Sequence, residues 1–446
     1  MSEKRKPKKS SVRHTRAIQR ERSQRPNSAP PDEAVRARLT DLVHPATYAQ
    51  MAAFRAMGLR ERILTLPVMM AFVLSLIWQH LGSVAEAVRV LCEEGMLWAD
   101  PVVVSQQAVV ERLGSLPAEL FQRVLEEVLP RMHARWQART RPLPPALRWA
   151  QERFTAVVAL DGSTLDVVLR KTGLLRDAPK AVLAGRIAAL LDVITRLPRQ
   201  VCYEENAHAH DQRFWGPVWA ALQPGWLLLF DLGFVNYAHF DTLTDQGIWF
   251  LTRALPQLVC RTDRVLHTSA QVHDLKVWIG ARKEDQCRHP MRLIEIEFRG
   301  KWYRYLTNVL DPLQLPAALV AGLYAQRWRI EDAFNVIKRL LGLAYFWIGS
   351  INGVMVQVWA TWILYAALID LTDAVAEALR KPFQDISIEM VYRGLYHFTQ
   401  AHHRGNADDP VAYLATKAKR LGIVKRKRKP DAWLGTPSTL TNPTDP

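Results

Sequence analysis

Phe154-Thr-Ala-Val-Val-Ala-Leu160-Asp161-Gly162-Ser163 is a short apolar run, rich in valine and closed by an aspartate. It reads as a buried strand ending at the edge of a sheet. Trp226-Leu-Leu-Leu-Phe230-Asp231 repeats the pattern, and 164–169 and 187–194 are further runs of the same kind. A carboxylate at the end of a buried strand faces the cleft where α/β sheets bind their ligands. Taken singly, either aspartate could equally serve a turn or a cap.

Working outward, Pro142, Pro144 and Pro145 separate these strands from a stretch, 41–145, in which apolar residues recur at spacings of three and four. That spacing predicts an all-α domain. Within it Ser105 is a candidate N-cap for a short helix through Arg112, of the kind that reads DNA, although a plain packing helix fits equally. Beyond the strands, 253–308 alternates polar and apolar residues and predicts antiparallel hairpins inserted into an α/β core. The core then comprises 150–252 and 309–350, followed by a helical region at 351–416.

Charge sits at the ends. The net charge of +16 is accounted for by a polar arm, 1–40, and the segment 417–429, KAKRLGIVKRKRK, which opens the tail 417–446 and holds eight Lys/Arg and no acid. Basic segments flanking a neutral body suit a polyanion partner, since each Lys or Arg near a phosphate releases a condensed counterion. Cys92, Cys202, Cys260 and Cys287 have the spacing of neither a disulfide framework nor a zinc site, and the opening residues lack the apolar core of a secretory signal. A cytoplasmic, nucleoid-associated location is expected. The apolar stretches 66–81 and 354–371 are interrupted by Pro67, Gln79, His80, Gln357 and Asp370, and predict core helices and no membrane partner.

One helix is predicted from about Pro316 to Leu341, carrying the stretch LYAQRWRIEDAFNVIKRLLGL that begins at Leu323. At about 100° per residue, Glu331 and Lys338 fall within about 40° of Tyr324, with Arg327 about 60° away, so one stripe carries Tyr, Arg, Glu and Lys. A solvated Arg327–Glu331 pair would explain part of it, but the flanks are apolar. The pattern Tyr-x2-Arg-x3-Glu-x6-Lys, downstream of Asp161-Gly162-Ser163 and of Phe230-Asp231-Leu232-Gly233-Phe234 with Phe250-Leu251-Thr252-Arg253, resembles the signature of the insertion sequence 4 family of DDE transposases.

That resemblance implies an RNase H-like α/β catalytic core with a β-rich insertion, preceded by an all-α DNA-binding domain and followed by a helical C-terminal region. It implies Asp161, Asp231 and Glu331 as catalytic residues and ligands of two Mg²⁺ ions, with Mn²⁺ as a substitute. Tyr324, Arg327 and Lys338 would contact DNA phosphates, and Trp302 would stack on a base. Trp328, on the same helix, is expected in the core. The implied activity is binding of terminal inverted repeats in double-stranded DNA, metal-dependent cleavage and strand transfer into target DNA, by a homodimer formed through the region after about 350. Two other readings stay open: an RNase H-like nuclease without strand transfer, and a catalytically silent DNA-binding protein. The clusters His208, His210, Asp211 and His273, Cys287, His289 lack zinc spacing.

Overall fold

The computed structural model describes residues 29–165, 185–280, 286–343, 346–347 and 350–426. The segment ahead of the sheet is helical: α1 Glu33–Ala49, α2 Met51–Ala56, α3 Leu66–Trp78, α4 Val84–Glu93, α5 Gln106–Ser115, α6 Ala118–Ala138 and α7 Pro145–Gln151. Ser83 and Ser105 cap α4 and α5, each accepting from a backbone N–H three residues on. Helix α1 begins inside the stretch read as a flexible arm. Its Ala34, Val35, Leu39, Leu42, Val43 and Ala46 form a buried stripe, which the basic composition of 1–40 masks. Residues 1–28 and 427–446, which hold most of the basic arm and tail, lie outside the described residues, as do 166–169 of the run at 164–169.

Nine strands form one sheet: β1 Ala156–Thr164, β2 Arg186–Asp192, β3 Pro198–Glu204, β4 Trp226–Phe230, β5 Trp249–Arg253, β6 Cys260–Thr268, β7 Val272–Ile279, β8 Met291–Phe298 and β9 Lys301–Thr307. Their order is β3-β2-β1-β4-β5-β9-β8-β7-β6. Strands β1, β4 and β5 are parallel, and the other neighbours are antiparallel. The alternating stretch 253–308 therefore continues the main sheet through the β5–β9 pairing. Short helices α8 Trp215–Trp219 and α9 Tyr237–Asp245 connect the central strands.

Side chains alternate across the sheet, so Val157, Ala159, Leu227 and Leu229 enter one apolar layer while Val158, Leu160, Leu228 and Phe230 enter the other. The first layer is shared with the helices on both sides in sequence. At its centre lies α12 Ile351–Ala378, after α10 Ala317–Ala325 and α11 Trp328–Asn335 and before α13 Ile388–His402 and α14 Pro410–Thr416. Helix α12 is long and apolar enough to cross a membrane, yet nearly all of it is buried inside the protein. Its two buried acids explain the interruption of the apolar run. Arg139 bonds Asp370 at 2.7 Å and Asp373 at 3.0 Å, Arg141 meets Asp373 at 2.5 Å, and Arg38 bonds Asp370. These pairs tie α1 and the end of α6 to α12. A second buried pair, Arg292 with Asp274 at 2.7 Å, also donates to Leu315 O at 2.7 Å and fixes β7 and β8 to the loop before α10.

Candidate active site

Strand β1 outlasts its neighbour. The parallel pairing of β1 with β4 ends at Leu160↔Phe230, after which β1 runs on to Thr164 against β2 alone. Asp161 therefore lies within β1 rather than at its end, opposite the point where β4 gives out and Asp231 begins the next turn. Adjacent strands are about 4.8 Å apart, so the two aspartates are neighbours. Both follow the parity of Val157, Ala159, Leu227 and Leu229, and so face the layer that holds α10 to α12.

The single helix expected from about Pro316 to Leu341 is broken, which decides how its residues meet the aspartates. Helix α10 ends at Ala325, the chain tightens at Gln326–Arg327 with hydrogen bonds to residues three back, and α11 begins at Trp328. A π-helical turn, Val336–Leu340, follows. Arg327 is thereby turned inward: its Nη1 donates to Asp161 Oδ2 at 2.6 Å and its Nη2 to Glu331 Oε1 at 3.0 Å. Its side chain is 8% exposed, against 34% for Glu331, so the pair is not a solvated surface bridge. Tyr324 is buried beneath the Arg327 guanidinium, edge-on to Tyr305. Lys338 is buried too, donating to Ser163 Oγ and, at 2.6 Å, to Thr164 O. Tyr324, Arg327 and Lys338 are thus gathered at the carboxylates, each against protein groups.

Burial pushes the Asp161 carboxyl up to about 7, with Arg327 opposing and Asp231 and Glu331 adding to the rise. Burial works against the Arg327 charge, but Asp161 above all, then Tyr324, Glu331 and Asp231, carry its pKa above the ordinary value. Burial likewise raises the Tyr324 hydroxyl. The cluster thus holds more negative charge than one guanidinium comfortably offsets.

Asp211, which the sequence offered only within the His208, His210, Asp211 cluster that lacks zinc spacing, stands at the carboxylates. Arg186, at the start of β2, bonds its carboxylate and also donates to Ala209 O at 2.5 Å. A Cβ on Gly162 would stand 2.6 Å from Asp211 Oδ1, and one on Gly233 would stand 2.6 Å from Oδ2. The carboxylate therefore bridges the backbones just after Asp161 and Asp231, whose own Oδ1 atoms accept from Gly162 N at 2.8 Å and Gly233 N at 2.9 Å. Its pKa is raised by burial, against Arg186 and with Asp231. The glycine after each aspartate was the available trace. Of the remaining polar candidates, His273 faces Glu295 at 3.3 Å, His289 faces Asp245 at 2.6 Å and Cys287 faces Tyr237 O, so these three do not converge.

Trp302 is 45% exposed and stacks on His273 with ring centroids 4.5 Å apart. It lies three residues beyond Tyr305, the last partner of β5, so it extends past the sheet edge that carries the aspartates. Trp328, expected in the core, is 57% exposed. The helix break at Gln326–Arg327 turns Arg327 in and its neighbour out.

Among the described residues no group of three or more His, Cys, Asp and Glu side chains is arranged to hold a metal ion, and Arg327 spans the gap between Asp161 and Glu331. The donor chemistry nonetheless fits a hard divalent cation: Asp161, Asp231 and Glu331 offer carboxylate oxygens only. Displacement of the guanidinium by an ion would keep that charge balanced.

Residues 152–366 match the family described as Transposase DDE domain. The chain is also 27% identical over 156 residues to the Sinorhizobium fredii protein named "Putative transposase y4zB", covering 33% of this chain and 43% of that relative. The match therefore spans less than half the length of the curated relative. Both findings support a transposase family for this chain, and all three acids of the cluster fall inside the matched segment.

Proposed function

We propose that this chain is a DNA transposase that binds the terminal inverted repeats of an insertion sequence, cleaves a phosphodiester there and joins the exposed 3′-hydroxyl to target DNA. The observation that carries the reading is the meeting of Asp161 and Glu331 on one guanidinium beside Asp231, inside the segment that matches a transposase DDE domain. The strand order β3-β2-β1-β4-β5, with β1, β4 and β5 parallel, is the one an RNase H-like core has and so supports the same reading.

In this reading Asp161, Asp231 and Glu331 would hold two Mg²⁺ ions, for which Mn²⁺ would substitute. Such ions supply Lewis-acid activation of the attacking oxygen and charge relief at the leaving oxygen. Arg327 keeps Asp161 and Glu331 from repelling each other, and is the cation placed to take a DNA phosphate at this site. Lys338 anchors the end of β1 through Ser163 and Thr164, next to the same phosphate path. Asp211, with Arg186 behind it, positions the backbones that aim Asp161 and Asp231. Trp302 and Trp328 supply exposed rings on which a base can stack. The helices of 33–151 and the basic ends would grip the duplex, and a homodimer would handle two element ends together.

A joining assay tests the reading. Labelled duplex carrying the flanking inverted repeats is incubated with the full chain, target DNA and Mg²⁺. Joined product is expected. Cleavage without joining would make this a nuclease, and binding with neither would make it a silent DNA-binding protein.

A further inference from the structure

A second charged site lies away from the carboxylates. Arg186 begins β2 beside Asp211, whereas Arg196 stands in the turn after β2 ends at Asp192, roughly 20 Å further along at about 3.3 Å per residue. There a half-open cavity of about 200 Å³ is lined by Arg196, Asp332, Asn335, Phe383, Gln384 and Lys425, among others. It lies between α11, the β2–β3 turn and the chain that flanks α13.

Arg196 is the decisive residue. It is 6% exposed, and among the described residues its guanidinium makes no hydrogen bond; it lies over the Phe383 ring at 5.3 Å. Its backbone, by contrast, is fully held: N donates to Asp192 O at 2.8 Å, O accepts from the Tyr365 hydroxyl at 2.8 Å, and φ is +63°, in the left-handed region. With no protein acceptor, the guanidinium of Arg196 presents its donors to this cavity, where an anion entering it would be met. Two further cations approach. Arg329 reaches Gln384 Oε1 at 3.3 Å, and Lys425 Nζ donates to Gln384 O at 3.0 Å. Acids stand there too: Asp332, which lines the cavity, pairs with Arg329 at 3.6 Å, and Glu389, also in its lining, pairs with Arg393 at 2.8 Å, so neither acid is bonded to Arg196. Burial, followed by the repulsion of Arg329, holds the Arg196 guanidinium down to about 9.

We infer that this cavity is an oxyanion site that takes a phosphate group, with Arg196 as its buried donor and Lys425 at its mouth. A planar guanidinium chelates two phosphate oxygens, and the two neighbouring cations suit a ligand bearing more than one negative charge. The phosphate comes either from a DNA backbone or from free phosphate, and the two sources separate in the test. The free-phosphate arm holds whether or not the proposed reaction does.

The thermal midpoint of the full chain is measured against inorganic phosphate at constant ionic strength, for wild type, Arg196→Gln and Lys425→Gln, alongside duplex DNA affinity as a function of salt. With a DNA source, both variants bind duplex at least about tenfold more weakly, the size of one charge-assisted hydrogen bond, and the salt slope falls by about one. With a free-phosphate source, phosphate raises the wild-type midpoint and not that of the variants, while DNA affinity is unchanged. In either case Arg196→Gln, freed of an unpartnered buried charge, is no less stable than wild type without phosphate. Lys425→Gln, at an exposed position, keeps both arms readable should Arg196→Gln fail to fold. Wild-type behaviour of the variants in both arms overturns the inference.

Discussion

Replacing Arg327 with glutamine removes the one cation that Asp161 and Glu331 share, at 2.6 and 3.0 Å, and leaves both beside Asp231. Breaking a buried ion pair costs about 3–5 kcal/mol because the surviving charge stays buried. For 446 residues, at about 2.1 cal/mol/K per residue, the unfolding entropy is roughly 0.9 kcal/mol/K, so the midpoint should fall by about 3–5 °C. The pH dependence has a definite sign. The Asp161 carboxyl is near 7 in the wild type, and Arg327 is what holds it down, so the variant's carboxyl titrates higher still. Below about 7 both proteins carry a neutral Asp161 and the deficit is small; it grows as pH rises above 7, where the wild type ionises freely and the variant does so at a cost. The assay is a thermal melt in chelator at pH 6 and pH 8.5, repeated with millimolar Mg²⁺ or Mn²⁺. A divalent ion should restore the variant more than it stabilises wild type. An unchanged midpoint at pH 8.5, or an equal response of both proteins to metal, would refute the argument that Arg327 holds the place of a cation.

Gly233→Ala would set a methyl group 2.6 Å from Asp211 Oδ2, which Arg186 keeps from retreating, and should lower unfolding stability by about 1–3 kcal/mol in urea titration. The double variant with Asp211→Ala should recover most of that loss. Asp274→Ala strands the fully buried Arg292 and should cost about 3–5 kcal/mol, read as a drop of several degrees in the melt. Trp302→Ala, at a half-exposed ring, should leave the melt unchanged and weaken binding to DNA with an unpaired base by about 1–3 kcal/mol, measured by fluorescence anisotropy.

What the sequence made legible was local. Apolar runs closed by Asp161 and Asp231, the cap at Ser105, and the apolar span of α12 all lie within short windows where period and capping chemistry speak. The break at Gln326–Arg327 was not legible, since neither residue disfavours a helix; it arises from tertiary pull on Arg327 by Asp161, and it also turns Trp328 out to solvent. Asp211 was visible only as part of the His208, His210, Asp211 cluster; its place at the carboxylates depends on two glycines distant in sequence that make room for it. The alternation at 253–308 made antiparallel hairpins legible, but nothing within it records the pairing of Leu251, Thr252 and Arg253 with Thr307, Leu306 and Tyr305, which joins them to the main sheet. Buried Asp370 and Asp373 read only as interruptions of an apolar run, since Arg38, Arg139 and Arg141 that neutralise them come from over 200 residues away.

The account stands most directly on Glu331→Gln, which removes one carboxylate while keeping its size and its partly exposed position on α11. Nicking of labelled inverted-repeat DNA in Mg²⁺ is compared between this variant and wild type at matched DNA occupancy. The account predicts metal-dependent nicking by wild type and its loss in the variant, with binding retained. Nicking by the variant at the wild-type rate would contradict the assignment of the carboxylate cluster as the catalytic centre.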